Sequence, residues 1–287
     1  MALLLLLLPL ATAQDTIALN GITWIYSEAN FTYFQGGQDW QGCTSGRQQE
    51  SPIDIQENPT DGSSFQVVSE NGTMFVPLVF QSSNVGDNFL LMDVAGVQEF
   101  FLMAGTATWN LPGRENTQIL LMMNVITPAA HLFNGYQYPL ELRLYYTIPR
   151  PDAMVMVMSY VAIWFEEAEE DNPFIQQLID QSGLDVSLVF PASGVVDDYF
   201  FYTGSEDRPF PVCYPEIGVV IPNYVLGISR RQLDYYDNMY SNNLTFAGGR
   251  GTNRDIQEHR NPVYHFISNQ TQTPEFAAGE MVVSFLQ

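Results

Sequence analysis

The chain has 287 residues, 46% of them apolar, enough for one large domain or two small ones with a substantial core and too apolar for long disorder. Its formal net charge is −22 and it contains no lysine, so its ten basic residues are all arginine. Such an acidic surface argues against nucleic acid and anionic membranes as partners, because both attract basic patches, and is compatible with weak calcium binding.

Residues 1–13 read MALLLLLLPLATA, an apolar run closed by Ala11-Thr12-Ala13. This is the pattern of a signal peptide with an A-x-A cleavage site, although no positive charge precedes the run. It is too short to span a bilayer, which leaves an uncleaved anchor as the competing reading, and no later apolar run reaches the roughly 18 residues of a transmembrane segment. The expectation is a leader at 1–13, a single domain at 14–287, and a secreted or luminal protein. Cys43 and Cys213 are the two cysteines, which in an exported chain read as one disulfide. Sequons for N-linked glycans at Asn30, Asn71, Asn243 and Asn269 point the same way.

Trp24, Tyr26 and Trp40 are expected as core aromatics under an irregular N-terminal arm. Residues 65–68 and 74–80 read as strands around Asn71-Gly72. Short strands continue over 89–92, 97–103 and 106–109, with Gly96, Gly105 and Pro112-Gly113 as turns. The richest stretch is 119–147, ILLMMNVITPAAHLFNGYQYPLELRLYYT. Two strand-like runs, 119–126 and 138–146, are joined there by a segment holding the turn signal Asn134-Gly135. In the second run Glu141, Arg143 and Tyr145 alternate with Leu142, Leu144 and Tyr146, so a period of two puts Glu141 and Arg143 on one face. A charged pair on a mostly apolar strand is either solvated or buried with a partner for each charge. Residues 153–165, AMVMVMSYVAIWF, read as a central strand buried on both faces. Met154, Met156 and Met158 are core filling there rather than a soft-metal site. The burst EEAEED at 166–171 lacks the spacing of a calcium loop, and a helical segment follows over 174–181. Strand-like residues 219–221 and 228–232, a helix over 231–240 and a last strand over 264–267 complete the chain, with no linker and no internal repeat.

The spacing around Pro128, His131, Asn134-Gly135, Tyr138-Pro139 and Glu141-Leu142 resembles the zinc-site hairpin of the α-type carbonic anhydrases, HxHxPSEHxxNGxxYPxELHLVH. The resemblance runs from about Trp24 to Tyr264. It includes SPIDI at 51–55, preceded by Glu50 where the family usually has glutamine. It also includes FEEAEEDNPFIQQLID at 165–180, the loop YTGSEDRPFPVC at 202–213, and GTNRDIQ at 251–257. It implies a mixed, β-rich α/β fold: one carbonic-anhydrase-like domain with a large central, mostly antiparallel twisted sheet and short surface helices. It also makes 166–171 a solvated strand-to-helix turn and 184–190 a strand.

The same resemblance assigns site positions. The family's three zinc histidines fall on Asn124, Ile126 and Arg143, and its proton-shuttling histidine falls on Thr73. The threonine that orients the zinc-bound hydroxide falls on Asp207, and the glutamate that holds it falls on Ala130. His131 matches a structural histidine that hydrogen-bonds the glutamate at Glu141; His259 and His265 lie off the hairpin. Ile126 offers no donor and Arg143 repels a cation, so zinc is expected to be absent and no other cofactor is implied. Thr73 does not titrate near neutral pH and cannot relay a proton. The resemblance thus implies a catalytically silent pseudoenzyme, a secreted binding, structural or assembly module whose partners are other proteins or matrix components. One alternative is residual or relocated activity, CO2/bicarbonate hydration or ester hydrolysis, although no GxSxG, HExxH, CxxC or P-loop occurs. Another is a ligand site at Arg143, Glu141 and His131. There the guanidinium replaces part of the metal's charge, is held by Glu141 or Asp207, and takes a small anion or glycan carboxylate. Against it stands an internal ion pair in a filled pocket.

Overall fold

Alternating apolar side chains need a surface on each side of a strand, and here the middle of one broad sheet is covered on both sides. The computed structural model describes residues 15–19, 22–26, 33–37, 40, 50–59, 64–69, 75–80, 84–94, 96–102, 108–110, 117–147, 159–205, 215–259 and 261–268. Residues 1–13, Asn30, Cys43, Asn71, Thr73, the methionines at 154, 156 and 158, Asp207, Cys213 and Asn269 lie outside them.

The first strands are β1 (Asp15–Leu19), β2 (Ile22–Tyr26), β3 (Asp54–Ile55), β4 (Phe65–Val68), β5 (Leu78–Val79), β6 (Asn84–Gly86), β7 (Phe89–Val94), β8 (Val97–Leu102), β9 (Thr108–Asn110) and β10 (Thr117–Ile126). The chain continues with β11 (Leu132–Phe133), β12 (Tyr136–Gln137), β13 (Leu140–Thr147), β14 (Ser159–Ala168) and helix α1 (Pro173–Asp180). It ends with β15 (Leu184–Asp185), β16 (Val195–Val196), β17 (Asp198–Ser205), β18 (Pro215–Pro222), β19 (Val225–Ser229), helix α2 (Arg230–Met239) and β20 (Val263–Ile267). Eleven strands form one sheet in the order β4-β20-β17-β18-β14-β13-β10-β8-β7, with β19 also on β14 and β9 on β10. The pairs β4/β20, β14/β18 and β14/β19 are parallel and the others antiparallel, so the large, mostly antiparallel sheet expected from the sequence is the one that forms.

Period two sorts β13 cleanly. Leu140, Leu142, Leu144 and Tyr146 join Val161, Ile163 and Phe165 in a core covered by Phe174, Ile175 and Leu178 of α1 and Leu233 and Tyr236 of α2. Tyr145 projects to the other face, with Met122, Tyr160, Ala162, Trp164, Phe200 and Tyr202. Both helices are capped by side chains that satisfy their first free N–H groups. Asn172 accepts from Phe174 N and Ile175 N ahead of Pro173, and Ser229 forms a capping box with Gln232. The acidic turn between β14 and α1 is solvated and laced with arginine: Arg231 reaches Asp171 at 2.5 Å and Arg230 reaches Glu167 at 3.5 Å.

Two expected strands are shorter than the sequence suggests. Among the described residues of this run, 75–80, only Leu78–Val79 pairs, because Pro77 has no N–H for a ladder. Of 184–190 only Leu184–Asp185 is strand. Asp185 then accepts from Ser187 N and closes a 3-10 turn over Val186–Val189, a side-chain bond that competes with extended backbone.

The hairpin between β10 and β13 carries a smaller one at its tip. β11 and β12 flank Asn134 (φ 48°) and Gly135 (φ 79°), both left-handed, as a type I′ two-residue turn demands. At its base, Thr252 N donates to Thr127 O at 2.9 Å and Thr127 N to Thr252 Oγ1 at 3.0 Å, clamping the 251–252 loop to the hairpin. Gly251 (φ 92°) permits this approach, since a Cβ there would fall 2.0 Å from Thr127 O. Gly251→Ala is expected to cost about 3 kcal/mol or more, from overpacking plus a left-handed backbone. Gly135→Ala, with open space around its Cβ, is expected to cost only about 1–2 kcal/mol. Chemical denaturation of the two variants measures the difference.

Candidate functional site

Pairing register decides which hairpin side chains meet. Asn124 lies opposite Arg143 of β13 on one side and Glu99 of β8 on the other; Ile126 lies opposite Glu141, and Glu141 opposite Trp164. Directly paired residues project from the same face. Glu99, Asn124, Ile126, Glu141 and Arg143 therefore share one face, and it is dry: Glu99 is 2%, Asn124 1%, Arg143 1% and Glu141 0% exposed. Of the two environments open to a charged pair on this strand, burial is the one realised.

Glu141 is the hub. Its Oε1 accepts from Arg143 Nε at 2.6 Å and His131 Nδ1 at 3.0 Å, and its Oε2 accepts from the backbone N–H groups of Ala130 at 3.1 Å and His131 at 2.9 Å. Burial by itself would raise the carboxyl pKa, but His131, Arg143 and the hydrogen bonds from His131 outweigh it and bring the carboxyl down to about 2. An ionised carboxylate only accepts, so His131 Nδ1 carries a hydrogen. His131 Nε2 meets the Tyr202 hydroxyl at 2.7 Å and the Tyr160 hydroxyl at 3.3 Å. Tyr202 in turn donates to Ser51 Oγ at 2.9 Å. The Arg143 guanidinium lies over the Tyr160 ring, 5.1 Å from its centroid, a cation–π contact in a desolvated setting.

Asn124 stands apart. Among the described residues neither its Oδ1 nor its Nδ2 meets a hydrogen-bonding group, although the residue is buried. A zinc ion bound between 124, 126 and 143 would need three donors around an open fourth position. The side chains present are an amide, an aliphatic group and a cation that can only donate hydrogen bonds. This set does not fit the metal. Among the described residues no group of three or more His, Cys, Asp or Glu side chains comes together as a metal would require.

The structure thus brings Asn124, Ile126, Arg143, Glu141, His131 and the Ala130 backbone together, and it places Arg143 on Glu141, one of the two partners the sequence offered. Asn243 sits in a turn beyond α2, remote in sequence from the hairpin. Sequence reasoning missed Glu99, which carries the signal that marked Glu141: an acid inside an apolar strand, here VQEFFL. It also missed Tyr160, Tyr202 and Ser51, which no local pattern ties to His131. Glu50, noted only as a departure from glutamine, forms a buried ion pair with Arg254 at 2.7 Å, and Arg254 also donates to Ser51 O.

No protein-family model matches the sequence, and no curated protein matches it either. Solved structures do match in fold. A hyperthermostable carbonic anhydrase from an active hydrothermal vent chimney aligns at 15% identity and a TM-score of 0.60, over 79% of this chain and 91% of that one. Dioscorin complexed with ascorbate aligns at 18% identity and 0.62, over 83% and 94%. Carbonic anhydrase Cah3 from Chlamydomonas reinhardtii in complex with acetazolamide aligns at 15% identity and 0.60, over 87% and 95%. The chain has the carbonic anhydrase fold.

Two outcomes follow from the buried row. The Glu141 carboxyl falls from an ordinary value near 4.5 to about 2 on folding. Its ionised form therefore stabilises the fold above pH 4.5, and that stabilisation is lost as pH falls toward 2, on the order of 3 kcal/mol in all. Urea unfolding across this window should show the loss in the wild type and a flatter profile in Glu141→Gln; equal profiles would remove Glu141 as its source. Asn124→Leu replaces two unpartnered polar atoms with a similarly shaped apolar group. It is expected to raise the unfolding free energy by about 1–3 kcal/mol in the same assay.

Proposed function

We propose that this chain is an exported, non-catalytic carbonic anhydrase-fold protein that serves as a binding or assembly module. The observation that carries this reading is the charge arrangement on the hairpin, where a guanidinium bound to Glu141 stands at a position the family gives to a metal ligand. A second cation beside Arg143 would be repelled, with no donor from Ile126 to offset the repulsion. The chemistry of this fold resides in a site grafted onto the sheet, and a fold keeps its shape when the site is exchanged. Dioscorin, solved with ascorbate, is a protein of the same fold described by a different ligand. The acidic surface suits partners that carry positive charge, proteins or matrix components rather than nucleic acid.

The test is zinc content and CO2 hydration of the full-length secreted protein, before and after incubation with zinc. The expected result is zinc far below one ion per chain and hydration at the uncatalysed rate. Stoichiometric zinc that disappears on Asn124→Ala, or hydration that a chelator abolishes, would overturn the reading.

A further inference from the structure

Beyond the hairpin, the turn that follows α2 combines an acceptor sequence with an uncovered apolar surface. Asn243 Oδ1 accepts from Thr245 N at 3.0 Å and Thr245 Oγ1 at 2.6 Å, and Asn243 Nδ2 donates to Met239 O at 3.2 Å. The sequon Asn243-Leu244-Thr245 is therefore folded into an Asx turn in which the threonine hydroxyl sits on the asparagine amide. Its middle residue, Leu244, is 79% exposed, and Phe34 is 60% exposed. These two side chains lie over consecutive glycines. A Cβ at Gly248 would stand 3.8 Å from Phe34 Cε1, and one at Gly249 would stand 3.2 Å from Leu244 Cδ2. Single exposed apolar residues are ordinary; these two flank the same stretch of bare backbone and so expose apolar surface side by side.

We infer that Asn243 carries an N-linked glycan whose first sugars cover the Leu244–Phe34 patch. The inference rests on the export reading, which supplies the donor, a polyprenyl-diphosphate-linked oligosaccharide. In the transfer a bond forms from Asn243 Nδ2 to the anomeric carbon of the sugar, and the anomeric carbon–oxygen bond breaks. The diphosphate leaves with that electron pair and Nδ2 gives up one proton. The product amide keeps its oxygen for both bonds from Thr245 and one N–H that can reach Met239 O, so the Asx turn itself is compatible with modification. The C–H faces of the proximal sugar rings then pack on the leucine and phenylalanine.

Secretion of the full chain from glycosylating eukaryotic cells, followed by mass spectrometry of the peptide containing Asn243, reads occupancy directly. The expected result is a glycan there, absent in Thr245→Ala and retained in Thr245→Ser. Enzymatic removal of glycans from the folded wild type should raise the fluorescence of an apolar-surface dye several-fold, and the rise should be much smaller in Leu244→Ser. A secreted chain with sugar on other sequons and a bare Asn243 would overturn the inference and leave the export reading standing. So would an occupied Asn243 whose deglycosylation leaves dye binding unchanged. A chain that stays in the cell with no sugar at any sequon refutes export, and the inference with it.

Discussion

One carboxylate organises the centre of this protein. Glu141 takes four hydrogen bonds, from Arg143, from both the ring and the backbone of His131, and from Ala130 N. Through them it fastens β13 to the loop that returns from β10. The chain of contacts continues from His131 to Tyr202 on β17, then to Ser51, whose Oγ also accepts from Ser205 N while its N–H donates to Ser205 Oγ. Arg254 donates to Ser51 O and pairs with Glu50. Segments far apart in sequence are thus tied together by buried polar groups, each answering another. Such a network specifies a single arrangement, because a half-made version leaves buried polar atoms exposed to no partner.

The row across β8, β10 and β13 shows how a dry face tolerates charge. Arg143 is compensated by Glu141 and by the Tyr160 ring, whereas Asn124 is not compensated at all. The two residues are neighbours in register, yet one is integrated into the polar network and the other, among the described residues, makes no side-chain hydrogen bond.

Much of this was legible from the chain. Strict alternation in LELRLYYT put Glu141 and Arg143 on one face, and Asn134-Gly135 marked a tight turn that proves to be left-handed at both residues. The overall sheet could be read because the family resemblance implied it and the short strand-like runs agreed with it. What escaped was of two kinds. Local side-chain bonds, such as Asp185 to Ser187, redirected a run that looks extended. Long-range partners, such as Tyr202 for His131 or Arg254 for Glu50, depend on register across the sheet, which periodicity within one strand does not encode.

The placement of β20 has a consequence for how the chain reaches this state. Val263–Ile267 lies between β4 and β17, pairing parallel to the first and antiparallel to the second. One end of the sheet stays unfinished until the last described strand has emerged, so ladder formation there waits on contacts of very high sequence separation. During that wait the strand edges at 65–68 and 198–205 are open to neighbouring chains. A lysine-free sequence with a net charge of −22 repels its own copies throughout this interval. The acidity that gives the finished protein its surface also acts as a solubility guard for the nascent one.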